Sequence, residues 1–467
     1  MATGSVAHIN AKGDQDGYLT VDPEVTHFKG MFKRHTSYAI QHLQQSFSGS
    51  TDWGTQVTLQ YIRQGDLVLD MYLEVELEKL PVGWSYVNEI GHAMIEKVMV
   101  QIGAVDIDCH YGEYMHICNE ISSEQGKRLG PTIGRFDTED ELRAWSQGLG
   151  GKNGKTQVMF IPLKFWFNNN YAQALPSIAL QYHMTIFKVD FRNIESLVYR
   201  TSEVPPGDLA AGYFPSPKLM AKFTVNNVYL DETERTAFAN LEHTYLIQQL
   251  QRMNQHSTSP TLTQSNIKLH FNHPVAEILF VMQSKQAKKA LRHFDYSHAV
   301  TNRVSVADAN GIYTDVQYRQ HSDPIETASL SFNGHERFRE TQALWWRDVV
   351  MRKHHNRLPT INTGGDFGPS TEQVNVGDGK LTDNVNDNNY IYSMCFSKTP
   401  DDWKPSGSAN FSRLDNPQLT LTHKAFDDAT MDSPYGSEVA GSDITIYVKN
   451  YNVFIVKNGV SGIRYSN

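Results

Sequence analysis

The chain has little of what marks a secreted or membrane-spanning protein. Only three cysteines, Cys109, Cys118 and Cys395, occur in 467 residues. Three thiols cannot form a disulfide framework for a chain of this size, which indicates folding in a reducing compartment. No run of about eighteen apolar residues occurs, and residues 1–22 are polar and contain glycine. We therefore expect no cleavable signal and no membrane span, and we predict an N-terminal arm over residues 1–24.

An excess of positive charge is also missing. The 42 Lys and Arg residues are outnumbered by 51 Asp and Glu residues, which gives a formal net charge of -9. A protein that coats nucleic acid should be basic, because neutralising phosphates supplies most of that affinity. We therefore expect no direct contact with nucleic acid. The basic run from Lys285 to Arg292 is more typical of a solvated face.

Motifs for catalysis are absent as well. The chain has no Gly-x-Ser-x-Gly turn that would place a serine nucleophile. The carboxylate pairs Asp323/Glu326 and Asp427/Asp428 are candidates for glycoside hydrolysis only because acidic residues are abundant. We predict that the protein is not an enzyme, with no catalytic residue and no cofactor.

The best metal-binding candidate is Cys109-His110 followed by His116-Ile117-Cys118. Structural zinc favours closely spaced Cys and His ligands, but these cysteines are nine residues apart and no second pair follows. Buried thiols are the preferred interpretation, so we predict no metal site. The pair His354-His355 lacks the carboxylate spacing of a metalloprotease helix and is predicted to lie in a solvated polar segment.

What the sequence does contain is the pattern of β-strands. Hydrophobic residues make up 40% of the chain, charged residues 20% and aromatic residues 11%, a globular composition that favours sheets. Leu67–Glu78 alternates between an apolar and a mainly acidic face, which predicts a strand with one buried side. Further strands are predicted at Thr55–Ile62, Met94–Ile102, Val158–Ile161, Ile178–Val189, Lys222–Leu230, Ile267–Phe271, Glu277–Met282, Gln418–Thr422 and Ile444–Val456.

Signals for helices are few. Thr138 and Glu141 have the spacing of a capping box that opens a helix. Asp231 and Glu234 offer a similar arrangement with Asp at the cap position. The longest helical candidate is His335–Met351.

The clearest domain boundary is Glu203–Lys218, which contains several prolines and glycines that neither a sheet nor a helix would continue through. Long polar insertions are predicted at Leu250–Ser265 and Asn362–Asn389. No obvious repeat relates the two halves, so any duplication would have to be structural. The predicted organisation is an arm at 1–24, a first sandwich at 25–203, a linker at 204–218 and a second sandwich at 219–467.

Several segments, in order along nearly the whole chain, resemble the double jelly-roll major capsid proteins of large nucleocytoplasmic double-stranded DNA viruses. These segments are Thr26–Thr36, Phe47–Gly54, Ile161–Phe167, Ala174–Pro176, Tyr229–Arg235, Leu330–Phe338, Gly407–Asp415 and the tail Asn450–Asn467. The sequence departs from the family near its end, where Asn458–Ile463 replaces the frequent Gly-Met-Gly-Gly-Leu. The resemblance carries no catalytic residues.

The resemblance implies an all-β fold of two consecutive eight-stranded jelly-roll sandwiches, with a few short helices and long loop insertions. It implies a structural major capsid protein that forms a homotrimer with a pseudo-hexagonal outline and tiles an icosahedral shell. The expected partners are neighbouring capsomers and minor capsid proteins, with an internal viral membrane nearby. The expected location is the outer capsid of the virion, assembled in the host cytoplasm.

Two alternatives stay open at this point. One is a carbohydrate-binding or carbohydrate-active β-sandwich in which Trp84, Trp345 and Trp346 stack on sugars, although core packing is the preferred role for these side chains. The other is a minor capsid protein of the same fold, which the sequence does not distinguish from a major one.

Overall fold

The computed structural model describes most of the chain. The described residues are 3–123, 127, 129–149, 156–201, 214–307, 313–361, 371–374, 388–426 and 440–465, and for residues 156, 300–307, 313–320 and 371–374 the backbone alone. The chain divides into two units, Met1–Tyr38 and Ala39–Asn467. No helix in the described ranges is long and apolar enough to cross a membrane.

Strands dominate the larger unit. They are β1 (Tyr38–Ser46), β2 (Gln56–Gln60), β3 (Leu67–Glu78), β4 (Trp84–Tyr86), β5 (Ile95–Ile102), β6 (Val105–His110), β7 (Thr156–Pro162), β8 (Thr185–Phe191), β9 (Val198–Arg200), β10 (Leu219–Leu230), β11 (His243–Arg252), β12 (His256–Thr258), β13 (Gln264–Lys268), β14 (Pro274–Ser284), β15 (His298–Ala307), β16 (Tyr313–Ser322), β17 (Ile325–Phe332), β18 (His335–Gln342), β19 (Thr371–Val374), β20 (Ile391–Cys395), β21 (Ala409–Asn410), β22 (Gln418–His423), β23 (Ser442–Lys457) and β24 (Val460–Ile463).

The helices are short. They are α1 (Thr3–Asn10), α2 (Gly17–Thr20), α3 (Ile90–Ala93), α4 (Gly112–Ile121), α5 (Glu139–Ser146), α6 (Trp166–Asn169), α7 (Glu232–Asn240), α8 (Lys285–Lys289) and α9 (Val350–His354), with a π-helical turn at Trp345–Val349 before α9. Single 3-10 turns connect other elements.

The first sandwich consists of two four-stranded sheets. Sheet A has the order β1-β10-β3-β7, and sheet B has the order β2-β8-β5-β6. The alternation of β3 places Leu73 and Val75 in the space between the sheets, where they share one core with Phe187 and Val189 of β8. Strands whose inward positions are apolar and whose outward positions are polar therefore form this sandwich, as the period-two pattern of β3 predicts.

The second sandwich repeats the same strand order. Sheet C has seven strands, of which four follow the order β11-β23-β14-β20, while β12 and β24 also pair with β23 and β21 pairs with β14. Sheet D has the order β13-β22-β17-β18. Its core joins Ile278 and Phe280 of sheet C to Leu330 and Leu419 of sheet D. Strand for strand, β1, β3, β7 and β10 of sheet A correspond to β11, β14, β20 and β23 of sheet C. This confirms the all-β jelly-roll prediction, and it shows a duplication that is structural because the sequences of the halves do not repeat.

The predicted domain boundary is wrong at one end. β10 pairs antiparallel with β3, with Leu219 opposite Leu77, and lies inside sheet A. Residues 219–230 therefore complete the first sandwich, and the second sandwich does not begin at Leu219. Pairing between strands distant in sequence decides this point, whereas composition marks only the loop before β10. Residues 204–213 of the predicted linker lie outside the described residues.

The predicted helix at His335–Met351 is wrong over its first half. Residues His335–Gln342 form β18, which pairs with β17 through a two-residue turn at Asn333-Gly334. Both turn residues have positive φ, 52° and 78°, which Asn-Gly adopts readily and which suits the twist of a hairpin. The hairpin takes precedence over the helical pattern, and helical structure begins only after β18.

Other predicted elements differ mainly at their ends. β8 begins at Thr185, seven residues after the predicted start at Ile178. Thr138 caps α5 by accepting a hydrogen bond from the Glu141 backbone N–H, whereas Asp231 makes no side-chain cap bond at α7. The predicted insertion Leu250–Ser265 contains the end of β11 and all of β12. Most of the predicted insertion Asn362–Asn389 lies outside the described residues.

The N-terminal unit contains α1 and α2. None of its described residues is buried, and several large apolar side chains, including Phe28 and Phe32, are exposed to solvent. The predicted arm at 1–24 falls within this unit.

Removing a central aromatic side chain should test the first core. Phe187 is fully buried and lies near Phe165 and Phe223, with ring centroids 6.3 and 5.8 Å away. We expect Phe187→Ala to lower the free energy of unfolding by about 3–5 kcal/mol, because it leaves a cavity. Chemical denaturation measures the change. The exposed Tyr171→Ala should change stability by less than about 0.5 kcal/mol, and an equal effect of both variants would contradict the assignment of the core.

Candidate functional site: a buried ionic junction between the sandwiches

Helix α4 joins the two sandwiches. It follows β6 of the first sandwich, and Met115 packs into the first core. Tyr114, Ile117, Cys118 and Ile121 belong instead to the apolar cluster of the second sandwich. A helix with apolar side chains on two faces is buried between two surfaces, so α4 lies at the junction.

Four ionisable side chains close a ring at this junction. Lys449 Nζ lies 2.6 Å from Glu277 Oε1 and 2.8 Å from Asp401 Oδ1. His355 Nδ1 lies 3.0 Å from Asp401 Oδ2, and His355 Nε2 lies 3.1 Å from Glu277 Oε2. With His355 protonated, two positive and two negative groups balance. We call these four residues the ionic ring.

Secondary structure positions the ring. Glu277 on β14 and Lys449 on β23 are directly opposite each other in sheet C. His355 follows α9, and Asp401 lies in the loop after β20. The first sandwich contributes Ser122, which follows α4 and donates a hydrogen bond from Oγ to Asp401 Oδ1 at 2.9 Å. All four ring residues therefore belong to the second half of the chain, and the first half adds one hydrogen bond to the ring through Ser122.

The charges of the ring stabilise one another. Burial by itself disfavours ionisation, but attraction to Lys449 and His355 holds the pKa of Glu277 and Asp401 below their ordinary values. Burial likewise disfavours protonated His355, yet attraction to Glu277 and Asp401 raises its pKa well above the ordinary value. Lys449 behaves in the same way, with its pKa raised by Asp401 and Glu277 against the effect of burial. We infer that all four groups are charged at neutral pH.

A second buried network centres on Glu89. Its Oε1 lies 2.6 Å from His92 Nδ1 and 2.9 Å from His116 Nδ1, and its Oε2 accepts from Arg135 at 2.8 Å. Arg135 also contacts Glu120 Oε1 at 2.6 Å. Burial disfavours the Glu89 carboxylate, but His116 and Arg135 outweigh that effect and hold its pKa well below the ordinary value. We call this group the Glu89 network.

The Glu89 network also crosses the junction. His116 Nε2 lies 2.8 Å from Asn389 Oδ1, and the His116 ring stacks on Phe294 with centroids 4.1 Å apart. Glu120 Oε2 accepts from the Thr360 backbone N–H at 3.0 Å. Asn389, Phe294 and Thr360 all belong to the second half of the chain, so polar contacts link the sandwiches at a second place.

Two groups in the described part of the chain have ligand atoms close enough together to hold a metal ion: Glu89/His92/His116 and Glu277/His355/Cys395. In each group a cation already pairs with the carboxylate, Arg135 in the first and Lys449 in the second. A bound metal would have to compete with these fixed charges. The ionic interpretation therefore accounts for both groups, and the absence of a metal stays a prediction.

The metal candidate read from the sequence is not assembled. His116 contacts Glu89, and His110 Nε2 instead lies 2.9 Å from Asp108 Oδ2. Cys118 packs in the second core, as expected for a buried thiol. Although these residues are close together along the chain, their side chains lie in different surroundings.

The prediction for His354-His355 is wrong for one residue. His355 is buried in the ionic ring, whereas His354 remains partly exposed. No signal in the local sequence identifies this, because Glu277, Asp401 and Lys449 are distant along the chain. The networks were missed for that reason.

The remaining sequence candidates have ordinary partners. Within the basic run, Lys288 lies 2.6 Å from Asp443. Asp323 accepts from Tyr392 and from Arg347 Nε, so its carboxylate is already engaged. Asp427 and Asp428 lie outside the described residues.

The tryptophans considered for sugar stacking differ in exposure. Trp84 and Trp346 are buried, as core packing requires, while Trp345 is 48% exposed. The interpretation that all three tryptophans stack on sugars is therefore wrong, because two of them are buried.

The folded chain defines a class before any comparison: two jelly-roll sandwiches of identical strand order, joined by buried charges, make a double jelly-roll protein. Residues 26–231 match a family model described as "Major capsid protein N-terminus". Residues 234–365 and 383–462 match one described as "Large eukaryotic DNA virus major capsid protein". The chain belongs to this family of structural capsid proteins.

Relatives of similar length support the assignment. The major capsid protein of Pyramimonas orientalis virus is 31% identical over 466 residues, which covers 99% of this chain and all of the relative. That of Paramecium bursaria Chlorella virus 1 is 27% identical over 485 residues, with 99% and 100% coverage. A quasi-atomic structure of the PBCV-1 virus capsid has a TM-score of 0.67, 24% identity and coverage of 95% and 100%. The Faustovirus major capsid protein has a TM-score of 0.66 at 11% identity, with coverage of 97% and 96%. At such low identity, these two structures support the fold alone.

Removing one charge from the ring should be costly. Lys449→Met leaves Glu277 and Asp401 buried with one cation fewer, and we expect the free energy of unfolding to fall by about 3–5 kcal/mol. Lys457 provides a control on the same strand, since it pairs with Glu242 at 2.7 Å but its side chain is 59% exposed. Lys457→Met should cost about 0–1 kcal/mol. Urea denaturation measures the free energy of unfolding of both variants. A similar decrease in both would contradict the role of burial.

The ring should also show a defined pH dependence. Because the pKa of His355 is raised in the folded state, protonated His355 stabilises the fold fully below the unfolded pKa of about 6.5. This stabilisation is lost as pH rises through the folded pKa. Because the pKa values of Glu277 and Asp401 are lowered in the folded state, their carboxylates stabilise the fold above about pH 4. This stabilisation is lost as pH falls. The stability difference between wild type and His355→Gln should therefore shrink from about pH 6.5 upward, by the order of 1 kcal/mol per pH unit at most. The exposed His335→Gln serves as control, and a constant difference would refute a charged His355.

Proposed function

We propose that three copies of this chain form a capsomer with a pseudo-hexagonal outline, which tiles the facets of an icosahedral viral shell. The observation that supports this most is the duplication: sheets A and B have the same strand order as sheets C and D. Three chains therefore supply six similar sandwiches, so a three-fold assembly approximates a six-fold one. A three-fold ring of heterologous contacts is closed.

The protein acts in this proposal as the major component of the outer capsid and not as an enzyme. Its partners are neighbouring capsomers and minor capsid proteins, with an internal viral membrane close to the shell, and assembly takes place in the host cytoplasm. The formal charge of -9 supports a shell that does not contact the genome directly. Tyr18, which lies in the predicted arm and is 96% exposed, supports an arm that orders on assembly, since apolar side chains favour burial.

The mass of the protein in solution tests the proposal. Three chains of 52.9 kDa give a trimer of about 159 kDa, which multi-angle light scattering at several concentrations distinguishes from a monomer. We expect a trimer that persists on dilution, and hexagonal arrays by electron microscopy at high protein concentration. A folded chain that remains a monomer at every concentration would contradict the proposal. Copy number in purified particles would separate a major from a minor capsid protein.

A further inference from the structure

Sheets A and C are equivalent by strand order but have different surroundings. In sheet C the outer face, which points away from its own core, is covered. Tyr447 on this face donates a hydrogen bond to Glu113 Oε2 of α4 at 2.6 Å, and every residue of β14 after Pro274 is buried. In sheet A the outer face is open, and Val158, Phe160 and Met220 are exposed.

A row of equivalent residues makes the contrast specific. In sheet C, Glu277 lies between Lys449 and Cys395 on the neighbouring strands. In sheet A, Glu74 holds the same place between Lys222 and Phe160. The Lys–Glu pair of sheet C is buried, with Lys449 only 9% exposed, whereas Lys222 of the pair in sheet A is 38% exposed. Sheet A therefore has the residue pattern of the covered face of sheet C, but its exposed apolar side chains have no cover within the part of the chain that the structure describes.

The cover of sheet C indicates what would cover sheet A. Helix α4 lies in the connection between β6 and β7 of the first sandwich. The corresponding connection of the second sandwich, between β18 and β20, contains the π-helical turn and α9. Its apolar residues Leu344, Trp345 and Val349 are exposed. Exposed apolar side chains on a helical segment are typical of an interaction surface.

The two surfaces are also complementary in charge. The segment 343–354 ends in Arg352, Lys353 and His354, and of these Arg352 pairs with Asp348 of the same segment. On the outer face of sheet A, Glu76 lies beside the Lys222–Glu74 pair and the apolar side chains. Complementary potentials favour specific association.

We propose that residues 343–354 of one subunit dock on the outer face of sheet A of a neighbouring copy, as α4 docks on sheet C within the chain. The inference rests on the proposed trimer and specifies its contact. Each subunit gives its helical segment to one neighbour and receives that of the other, so the contact is heterologous and closes after three copies. In the assembled ring each sheet A is then covered, as each sheet C already is.

Substitutions on both surfaces test the contact. Phe160→Asp and Val349→Asp each bury a carboxylate in the proposed interface, so we expect trimer formation to need about tenfold or more higher protein concentration. Val82→Asp and Leu262→Asp replace exposed apolar residues elsewhere and should leave assembly unchanged. Light scattering measures the mass, and thermal unfolding shows that each variant is folded.

A photo-crosslinking amino acid at position 345 of the full chain identifies the partner surface. We expect a covalent dimer on denaturing gels, with the linked peptide from β3, β7 or β10. A wild-type monomer would overturn both the trimer and this contact. A wild-type trimer that Phe160→Asp and Val349→Asp leave intact would overturn the contact alone, and so would a trimer disrupted by Phe160→Asp but not by Val349→Asp, because another segment would then cover sheet A.

Discussion

Burial of charge at the junction is the constraint on which the rest of the structure depends. Glu277 and Lys449 are held opposite each other in the middle of sheet C, away from water. Such a pair is tolerated only when every remaining hydrogen-bonding position is filled, because an unpaired buried charge costs several kcal/mol. Asp401, His355 and Ser122 supply those contacts. Among these contacts, the hydrogen bond from Ser122 comes from the first sandwich, so it links the ring to that sandwich.

This constraint gives the junction a role that an apolar interface would not have. Apolar packing is non-directional and tolerates small displacements, whereas the ring and the Glu89 network each require atoms within hydrogen-bond distance. A capsid subunit benefits from a fixed angle between its sandwiches, since an error in that angle would be repeated in every copy of the subunit. We infer that the buried charges contribute geometric specificity more than net stability, which is the best supported use of such groups.

The duplication places equivalent residues in different surroundings. Lys222–Glu74 and Lys449–Glu277 occupy the same position in sheets A and C, but among the described residues Lys449 is buried and Lys222 is exposed. One subunit thus presents two equivalent sheet faces, of which the face of sheet C is covered by α4 and the face of sheet A exposes apolar side chains. An assembly that covers the face of sheet A in the way that α4 covers sheet C needs no new kind of contact. For this reason a structural duplication suits a shell built from one protein.

Local patterns in the sequence determined much of this architecture. The alternation of Leu67–Glu78 identified β3 and its buried face, and Asn333-Gly334 carried a hairpin signal that excludes the helix predicted at His335. These features depend on neighbours along the chain, and the ordered segments of family resemblance added the jelly-roll class. Pairing over long distances was decided only by the tertiary structure: β10 joined the first sandwich, and His355 entered the ionic ring. The physical reason is that strand pairing and charge burial depend on which residues meet in space, and local periodicity does not contain that information.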